Sequence, residues 1–227
     1  MTVAPENIIA NLNEIKASLP AQVTLVAVSK THPNEAIEAA YGEGQRVFGE
    51  NKVQELAEKA AALPKDIEWH LIGHLQTNKV KYIASFVHLI HAVDSEKLLK
   101  EINKRAAQEN RVIKVLLQMH IAEESNKFGF DESELMALLD SGRIAAFENI
   151  SVTGLMGMAT FTDDENQVRK EFTSLKNMFD RLKADHFKDL EFNTLSMGMS
   201  GDYKLAIEEG STMIRVGSSI FGAREYA

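Results

Sequence analysis

Eight short apolar runs alternate with helical segments along this chain, and no other feature of the sequence limits the fold as strongly. The run Val112-Ile113-Lys114-Val115-Leu116-Leu117 is almost continuously apolar, which is typical of parallel strands covered by helices. The predicted strands cover residues 23–30, 46–49, 68–72, 86–93, 113–121, 151–158, 191–197 and 212–216. Seven helices separate them, and an additional helix over residues 4–18 precedes the first strand.

Eight strands with intervening helices, in a chain of 227 residues, match the requirements of a closed (β/α)8 barrel. We therefore predict an α/β fold in which residues 1–227 form a single TIM-type barrel domain with an extra N-terminal helix. An open, doubly wound sheet remains the alternative, because local patterns do not reveal whether a sheet closes.

Composition excludes several classes of function. The formal net charge of -8 argues against a nucleic-acid surface, which needs clustered Lys and Arg. The sequence contains no cysteine and no apolar run approaching the roughly 18 residues of a membrane span, and its start lacks a secretory pattern. We expect a cytoplasmic protein without a membrane partner. No self-complementary apolar helix stands out, so we expect a monomer.

In α/β barrels the functional groups follow the carboxyl ends of the strands. Lys30 ends the apolar run that starts at Val23. Burial and neighbouring charges at a barrel mouth lower the pKa of a lysine and make it a nucleophilic amine, whereas an ordinary strand-terminal lysine returns to solvent. Lys30 alone does not distinguish these two roles.

Small and hydroxyl-bearing residues follow the last two strands, where barrels frequently bind phosphate. They are Gly198, Ser200, Gly201, Gly217, Ser218 and Ser219. Ordinary tight turns are the other interpretation of these residues. Arg215 lies between Ile214 and Val216 near the end of strand eight, so its guanidinium needs a fixed partner, which is either an acidic side chain or a ligand.

The sequence shows no standard metal or nucleotide motif, and we predict no metal site. His70 and His74 have the spacing of a zinc helix but lack the glutamate that follows the first histidine. His88 and His91 lie at odd spacing across a predicted strand, which directs their side chains to opposite faces.

Four stretches together resemble the YggS/PROSC family of pyridoxal phosphate homeostasis proteins. They are Phe48-Gly49-Glu50-Asn51-Lys52-Val53-Gln54-Glu55, Trp69-His70-Leu71-Ile72-Gly73-His74-Leu75-Gln76-Thr77-Asn78-Lys79, Leu195-Ser196-Met197-Gly198-Met199-Ser200-Gly201-Asp202 and Ile214-Arg215-Val216-Gly217-Ser218. The resemblance extends over nearly the whole chain and implies the barrel of the alanine racemase N-terminal domain. Gly73-His74 stands where relatives often have Gly-Pro, a departure confined to one turn.

The resemblance also implies a cofactor, pyridoxal 5'-phosphate, and the residues that hold it. It places the Schiff-base lysine at Lys30 and the residue facing the pyridine nitrogen at Arg215. Ser200, Gly217 and Ser218 match phosphate-binding positions, and Asn51 matches a polar residue near the cofactor. His70 and Met156 are expected to line the pocket.

We expect a protein that holds pyridoxal phosphate and delivers or buffers it, without strong catalysis of its own; pyridoxal phosphate-dependent apoenzymes are its possible recipients. The racemases that share this barrel use a tyrosine base from a second domain, whereas this sequence ends at Ala227, and Tyr226 lacks the motif context of such a base. The alternatives are a racemase or decarboxylase of low activity and a barrel that binds another phosphorylated metabolite. Lys79 and Lys81 form either a second cofactor site or a solvated helix face.

Overall fold

Eight parallel strands close into a barrel in the computed structural model, which describes residues 4–122, 128–188 and 190–223. The strands follow one another around the ring in chain order, and β1 pairs with β8 through Leu25 and Ile214. This pairing confirms the barrel and excludes the open sheet. The strands are β1 Thr24–Val28, β2 Val47–Glu50, β3 Glu68–Leu71, β4 Leu89–Val93, β5 Ile113–Gln118, β6 Ile150–Met156, β7 Thr194–Met199 and β8 Met213–Val216.

Helices surround the barrel and pack against its outer face. They are α1 Pro5–Ser18, α2 Asn34–Gly42, α3 Val53–Ala62, α4 Glu96–Gln108, α5 Glu132–Asp140, α6 Glu165–Asp185, α7 Tyr203–Glu208 and α8 Ser218–Phe221. Side-chain caps fix where several of them begin: Ser95 accepts from Leu98 N–H, Asp131 forms a capping box with Glu134, and Asp164 caps α6.

The structure modifies several predicted elements. The helix expected over 77–85 is a 3-10 helix, Thr77–Tyr82, and two short helices, Arg143–Ala146 and Ser218–Phe221, were not predicted. Because β1 ends at Val28, Lys30 belongs to the turn after the strand. Residues 123–127 of the loop after strand five lie outside the described part of the chain, as does Tyr226.

The barrel interior contains both apolar and polar side chains. Six apolar residues fill part of it: Val26, Leu89, Ala92, Leu116, Met156 and Met213. Beside them runs a chain of buried polar groups, in which His70 Nδ1 lies 3.0 Å from His91 Nε2, and His91 Nδ1 lies 3.0 Å from Ser196 Oγ. Ser196 Oγ also accepts a hydrogen bond from Arg215 at 2.6 Å. Hydrogen-bonded side chains therefore extend along the inside of the barrel.

The larger apolar core lies between the strands and the helices, where Ile37, Leu56, Leu99 and Phe172 are fully buried. Within the described ranges, no helix combines the length and apolar character needed to cross a bilayer.

Candidate functional site

A cavity of about 510 Å³ opens at the carboxyl ends of the strands, and we refer to it as the mouth cavity. Its volume lies within the range of small-molecule sites. Six of the eight predicted cofactor-binding residues line it: Lys30, Asn51, Ser200, Arg215, Gly217 and Ser218. They come from the ends of β1, β2, β7 and β8, which are distant in sequence and are brought together by barrel closure.

The β7 and β8 ends of the cavity join through a hydrogen bond. Gly217 N–H donates to Ser200 Oγ at 3.1 Å, so the two loops predicted to bind phosphate meet directly. A Cβ atom on Gly217 would lie 3.0 Å from the carbonyl oxygen of Val28, which favours glycine here. Ser218 begins α8, where the first N–H groups lack acceptors within the helix. Small residues therefore leave backbone N–H groups accessible to an anion.

Arg215 brings a buried positive charge to the cavity. The residue is 4% exposed, and its guanidinium donates to Ser196 Oγ and to the carbonyl oxygen of Gly157, at 2.6 and 3.0 Å. Among the described residues, no carboxylate lies within salt-bridge distance of it. Burial lowers the pKa of Arg215 to about 10, against an opposing effect of Asp202, so the group remains cationic at neutral pH. Its hydrogen-bond partners are neutral, and this leaves its charge available to a ligand.

The turn that carries Lys30 has an unusual backbone conformation. Thr31 adopts φ +69°, a region that β-branched residues disfavour. Its N–H donates to Glu55 Oε1 at 2.6 Å, which ties the turn to the first turn of α3. We infer that this contact helps to fix the backbone next to Lys30.

Lys59 also contacts the backbone next to Lys30. Its Nζ donates to the carbonyl oxygen of Ser29 and to Glu50 Oε1, both at 2.8 Å, and to Glu55 Oε1 at 2.7 Å. Ser29 Oγ donates to Glu50 Oε1 at 2.7 Å. Sequence analysis missed this network, although Glu55 and Lys59 have the i,i+4 spacing of a helical ion pair and Glu50 follows strand two.

Asn51 contributes a polar atom that needs a partner. Its Oδ1 is buried and accepts no hydrogen bond within the described ranges. Gly73 packs against it so closely that a Cβ atom there would lie 2.4 Å from the carbonyl oxygen of Asn51. An unsatisfied buried acceptor is costly, so a ligand with a hydrogen-bond donor would stabilise Asn51 here.

The structure does not bring His70 and Met156 to this cavity. Met156 is fully buried in the apolar interior of the barrel. His70 lies lower on β3 and lines a second cavity at the opposite end of the barrel. Ile72, Gly73 and His74 occupy the mouth instead, because β3 ends at Leu71 and its interior residues lie below the mouth. The sequence-based assignment of His70 and Met156 to the pocket lining is therefore corrected.

Apolar side chains form the outer rim of the cavity and were not predicted as a group. Phe161 is 98% exposed, and Phe128, Met158 and Met199 are also exposed. Phe128, Met158 and Phe161 lie in loops after the strands, where local periodicity is absent, and Met199 ends β7. Lys79 and Lys81 do not line the cavity; both ammonium groups lie near the exposed ring of Tyr82.

Comparison with known proteins gives the same family that the sequence motifs resemble. The model of the alanine racemase N-terminal domain family matches residues 3–225. A pyridoxal phosphate homeostasis protein from Aquifex aeolicus is 41% identical, over 89% of this chain and 87% of its own. The chain belongs to the family of pyridoxal phosphate homeostasis proteins. The human protein of this name is 40% identical over 92% of the chain and 80% of its own length.

Solved structures of the family agree with the fold. PipY from Synechococcus elongatus, without pyridoxal phosphate, superimposes with a TM-score of 0.89 at 37% identity, covering 95% of this chain and all of that one. PipY with pyridoxal phosphate bound gives 0.86 at 36% identity, with the same coverage. An alanine racemase from Clostridium difficile shares the barrel, with a TM-score of 0.81 at 15% identity over 97% of this chain and 61% of its own.

Proposed function

We propose that this chain binds pyridoxal 5'-phosphate in the mouth cavity and takes part in cofactor homeostasis, holding the aldehyde as a Schiff base on Lys30. The observation that carries this proposal is the meeting of Lys30, Arg215 and the Ser200–Gly217 contact in one cavity. A phosphorylated aldehyde needs an amine, a compact anion site and polar contacts for its ring, and this cavity offers all three.

Different residues of the mouth cavity would hold different parts of the cofactor. Ser200, Gly217 and Ser218 would hold the phosphate, because their loops present N–H and hydroxyl donors. Asn51 Oδ1 would accept a hydrogen bond from the bound molecule and so become satisfied.

Arg215 would face the ring nitrogen. A guanidinium donates hydrogen bonds and accepts none, so it favours the unprotonated pyridine. When bound, the cofactor would supply an electrophilic ring, and an unprotonated nitrogen makes that ring a weaker electron sink. This arrangement favours storage or delivery over carbanion chemistry.

Delivery would need access to the Lys30 end of the cavity by water or by another amine. The exposed rim formed by Phe128, Met158, Phe161 and Met199 lies where an acceptor would approach. We propose apoenzymes that use pyridoxal phosphate as the acceptors, a cytoplasmic location and a monomeric state; sedimentation of a tight dimer would contradict the last.

Borohydride reduction followed by peptide mass mapping tests cofactor and attachment point together. We expect the purified protein incubated with pyridoxal phosphate to be yellow, and the pyridoxyl label to lie on the peptide that contains Lys30. Lys30→Ala should lose both the colour and the label. Lys97→Ala, at an exposed position on α4, is the matched lysine control and should keep both. A label on another lysine would contradict the proposal.

Two further measurements separate the alternative functions. A barrel for another phosphorylated metabolite would stay colourless with pyridoxal phosphate. A racemase or decarboxylase would exchange the α-proton of alanine or serine with deuterated solvent, or release carbon dioxide, and would lose this turnover in Lys30→Ala. We expect neither result.

The phosphate end can be tested separately from the lysine. Ser200→Ala removes a hydroxyl that would donate to the phosphate and should weaken pyridoxal phosphate binding by roughly 1–2 kcal/mol, while leaving the weaker binding of unphosphorylated pyridoxal almost unchanged. Ser174→Ala, at an exposed position on α6 away from the cavity, is the control. Equal losses for both ligands would contradict a phosphate role for Ser200.

A further inference from the structure

A second cavity, of about 250 Å³, lies at the amino ends of the strands, and we refer to it as the base cavity. The first residues of β1, β2, β3, β7 and β8 line it: Thr24, Val47, Glu68, Thr194 and Met213. His70 and His88 also line it. The mouth cavity shares none of these residues, so the function proposed above does not account for the base cavity.

Three side chains capable of binding a metal converge in the base cavity. One ligand atom each from Glu68, His70 and His88 lie within 4.8 Å of one another. Glu68 and His70 are two residues apart on β3 and therefore share a face, and His88 is held beside them because its N–H donates to the carbonyl oxygen of Trp69 at 2.8 Å. His88 Nε2 lies 3.5 Å from Glu68 Oε2.

His70 supplies an independent indication of a ligand. The residue is 2% exposed, and its Nε2 atom is buried with no hydrogen-bond partner among the described residues, while Nδ1 lies 3.0 Å from His91 Nε2. An imidazole nitrogen that has no hydrogen-bond partner, in a residue that lines a cavity, is available to bind a metal ion.

We propose that Glu68, His70 and His88 form a site for a divalent transition-metal ion of the zinc type, contrary to the expectation from the sequence motifs. Two imidazoles and one carboxylate suit such ions better than Mg²⁺ or Ca²⁺, which prefer oxygen ligands. In the tetrahedral geometry of zinc, with bonds of about 2.1 Å, ligand atoms lie roughly 3.4 Å apart. The three ligand atoms, which lie within 4.8 Å of one another, must therefore move closer together when the ion binds. The side chains of Glu68 and His88 are 47% and 42% exposed, so they are free to move toward the buried His70.

The buried polar chain inside the barrel orients the central ligand. Binding at Nε2 places the proton of His70 on Nδ1, which then donates to His91 Nε2. His91 in turn donates from Nδ1 to Ser196 Oγ, and this oxygen also accepts from Arg215. Such outer hydrogen bonds commonly fix the tautomer and the ring orientation of a metal-binding histidine. His91 is thus a positioning residue rather than a ligand.

Titration of the full-length, chelator-treated protein with ZnCl₂ by calorimetry tests this site. We expect one equivalent of Zn²⁺ to bind saturably, and CoCl₂ to give the visible absorption of a low-symmetry site. Glu68→Gln and His88→Gln change exposed side chains, so they should fold normally while each weakens Zn²⁺ binding tenfold or more.

Glu191→Gln is the matched control, because Glu191 lines the same cavity but pairs with Lys114 at 3.7 Å instead of joining the cluster. It should weaken binding less than threefold. Absence of saturable binding, unchanged affinity in Glu68→Gln and His88→Gln, or an equal loss in Glu191→Gln would overturn the proposal.

Nitrogen-15 spectra of the histidine rings provide a second measurement that a general electrostatic effect would not reproduce. In the zinc-saturated protein, His70 should carry its proton on Nδ1. A proton on His70 Nε2 under saturating zinc would also overturn the site.

Discussion

At the scale of single residues, Glu50 is a buried carboxylate in the network beside Lys30, and its hydrogen bonds only partly offset the cost of its burial. Its side chain is fully buried, its Oε1 accepts from Lys59 and Ser29, and its Oε2 has no partner within the described ranges. Burial raises the pKa of Glu50 to about 7 even though Lys59 lowers it. Because Oε2 is buried without a partner, the cost of burying the charged carboxylate exceeds the stabilisation that Lys59 and Ser29 provide at Oε1.

This raised pKa predicts a pH dependence of stability. A carboxyl group whose pKa is higher in the folded state contributes stability below its unfolded pKa, near 4.5, and loses that contribution as pH rises through about 7. Between pH 5 and pH 8, the free energy of unfolding of the wild type should therefore fall by on the order of 1–3 kcal/mol more than that of Glu50→Gln, whose side chain cannot ionise. Urea unfolding at the two pH values measures it.

The exposed Glu38→Gln is the control and should follow the wild type at both pH values. If Glu50→Gln and the wild type showed the same change in stability between pH 5 and pH 8, the ionised Glu50–Lys59 pair would be as stable as the protonated form, contrary to this argument.

At the scale of elements, the contact between β6 and β7 depends on Gly154. It adopts φ +157°, and a Cβ atom there would lie 1.7 Å from the carbonyl oxygen of Thr194, with which Gly154 is in register. The pairing of β5 with β6 also shifts here, since Val115 faces Val152 and Leu116 faces Gly154. Thr153 is thus the extra residue of a β-bulge, and the glycine allows the neighbouring strand to approach.

Gly154→Ala should be severely destabilising, by at least about 3 kcal/mol, because the strands have to separate to admit one methyl group. Gly142→Ala is the matched control. Gly142 also has positive φ, at +68°, but has no atom within 4 Å of the added carbon, so it should cost only about 1 kcal/mol. Chemical unfolding measures both; equal losses would show that backbone strain, not the close approach, dominates.

At the scale of the whole molecule, the N-terminal helix is part of the same core as the barrel. Ile8, Leu12 and Ile15 of α1 are buried in the large apolar cluster. Asn11 Nδ2 donates to the carbonyl oxygen of Ile220 in α8 at 3.1 Å, which joins residues 209 positions apart. Helix α1 therefore packs beside the element that contributes Ser218 to the mouth cavity.

We expect the described chain to unfold as one cooperative unit. Leu12→Ala, at a fully buried position, should cost roughly 2–5 kcal/mol. It should shift the unfolding midpoint reported by the fluorescence of Trp69, on β3, as much as the midpoint reported by far-ultraviolet circular dichroism. Leu190→Ala, at an exposed leucine, is the control. A Trp69 transition unaffected by Leu12→Ala would show that α1 unfolds separately.

The sequence by itself determined the eight alternating strands and helices and, with the family motifs, most residues of the mouth cavity. Near-continuous apolar runs select parallel strands, and the residues after each run must lie at the carboxyl end of the sheet, which placed Lys30 and Ser200 in advance, whereas Asn51 came from the family motif. These properties are local along the chain, so a single sequence contains them.

Only the tertiary structure decided how far along the barrel axis each side chain lies. Strand register moves His70 from the expected mouth to the base, where it meets His88 from the segment before β4. The contact of Thr31 with Glu55 likewise depends on how α3 packs beside the first turn. Neither follows from spacing along the chain, because stagger and closure are fixed by all eight strands together.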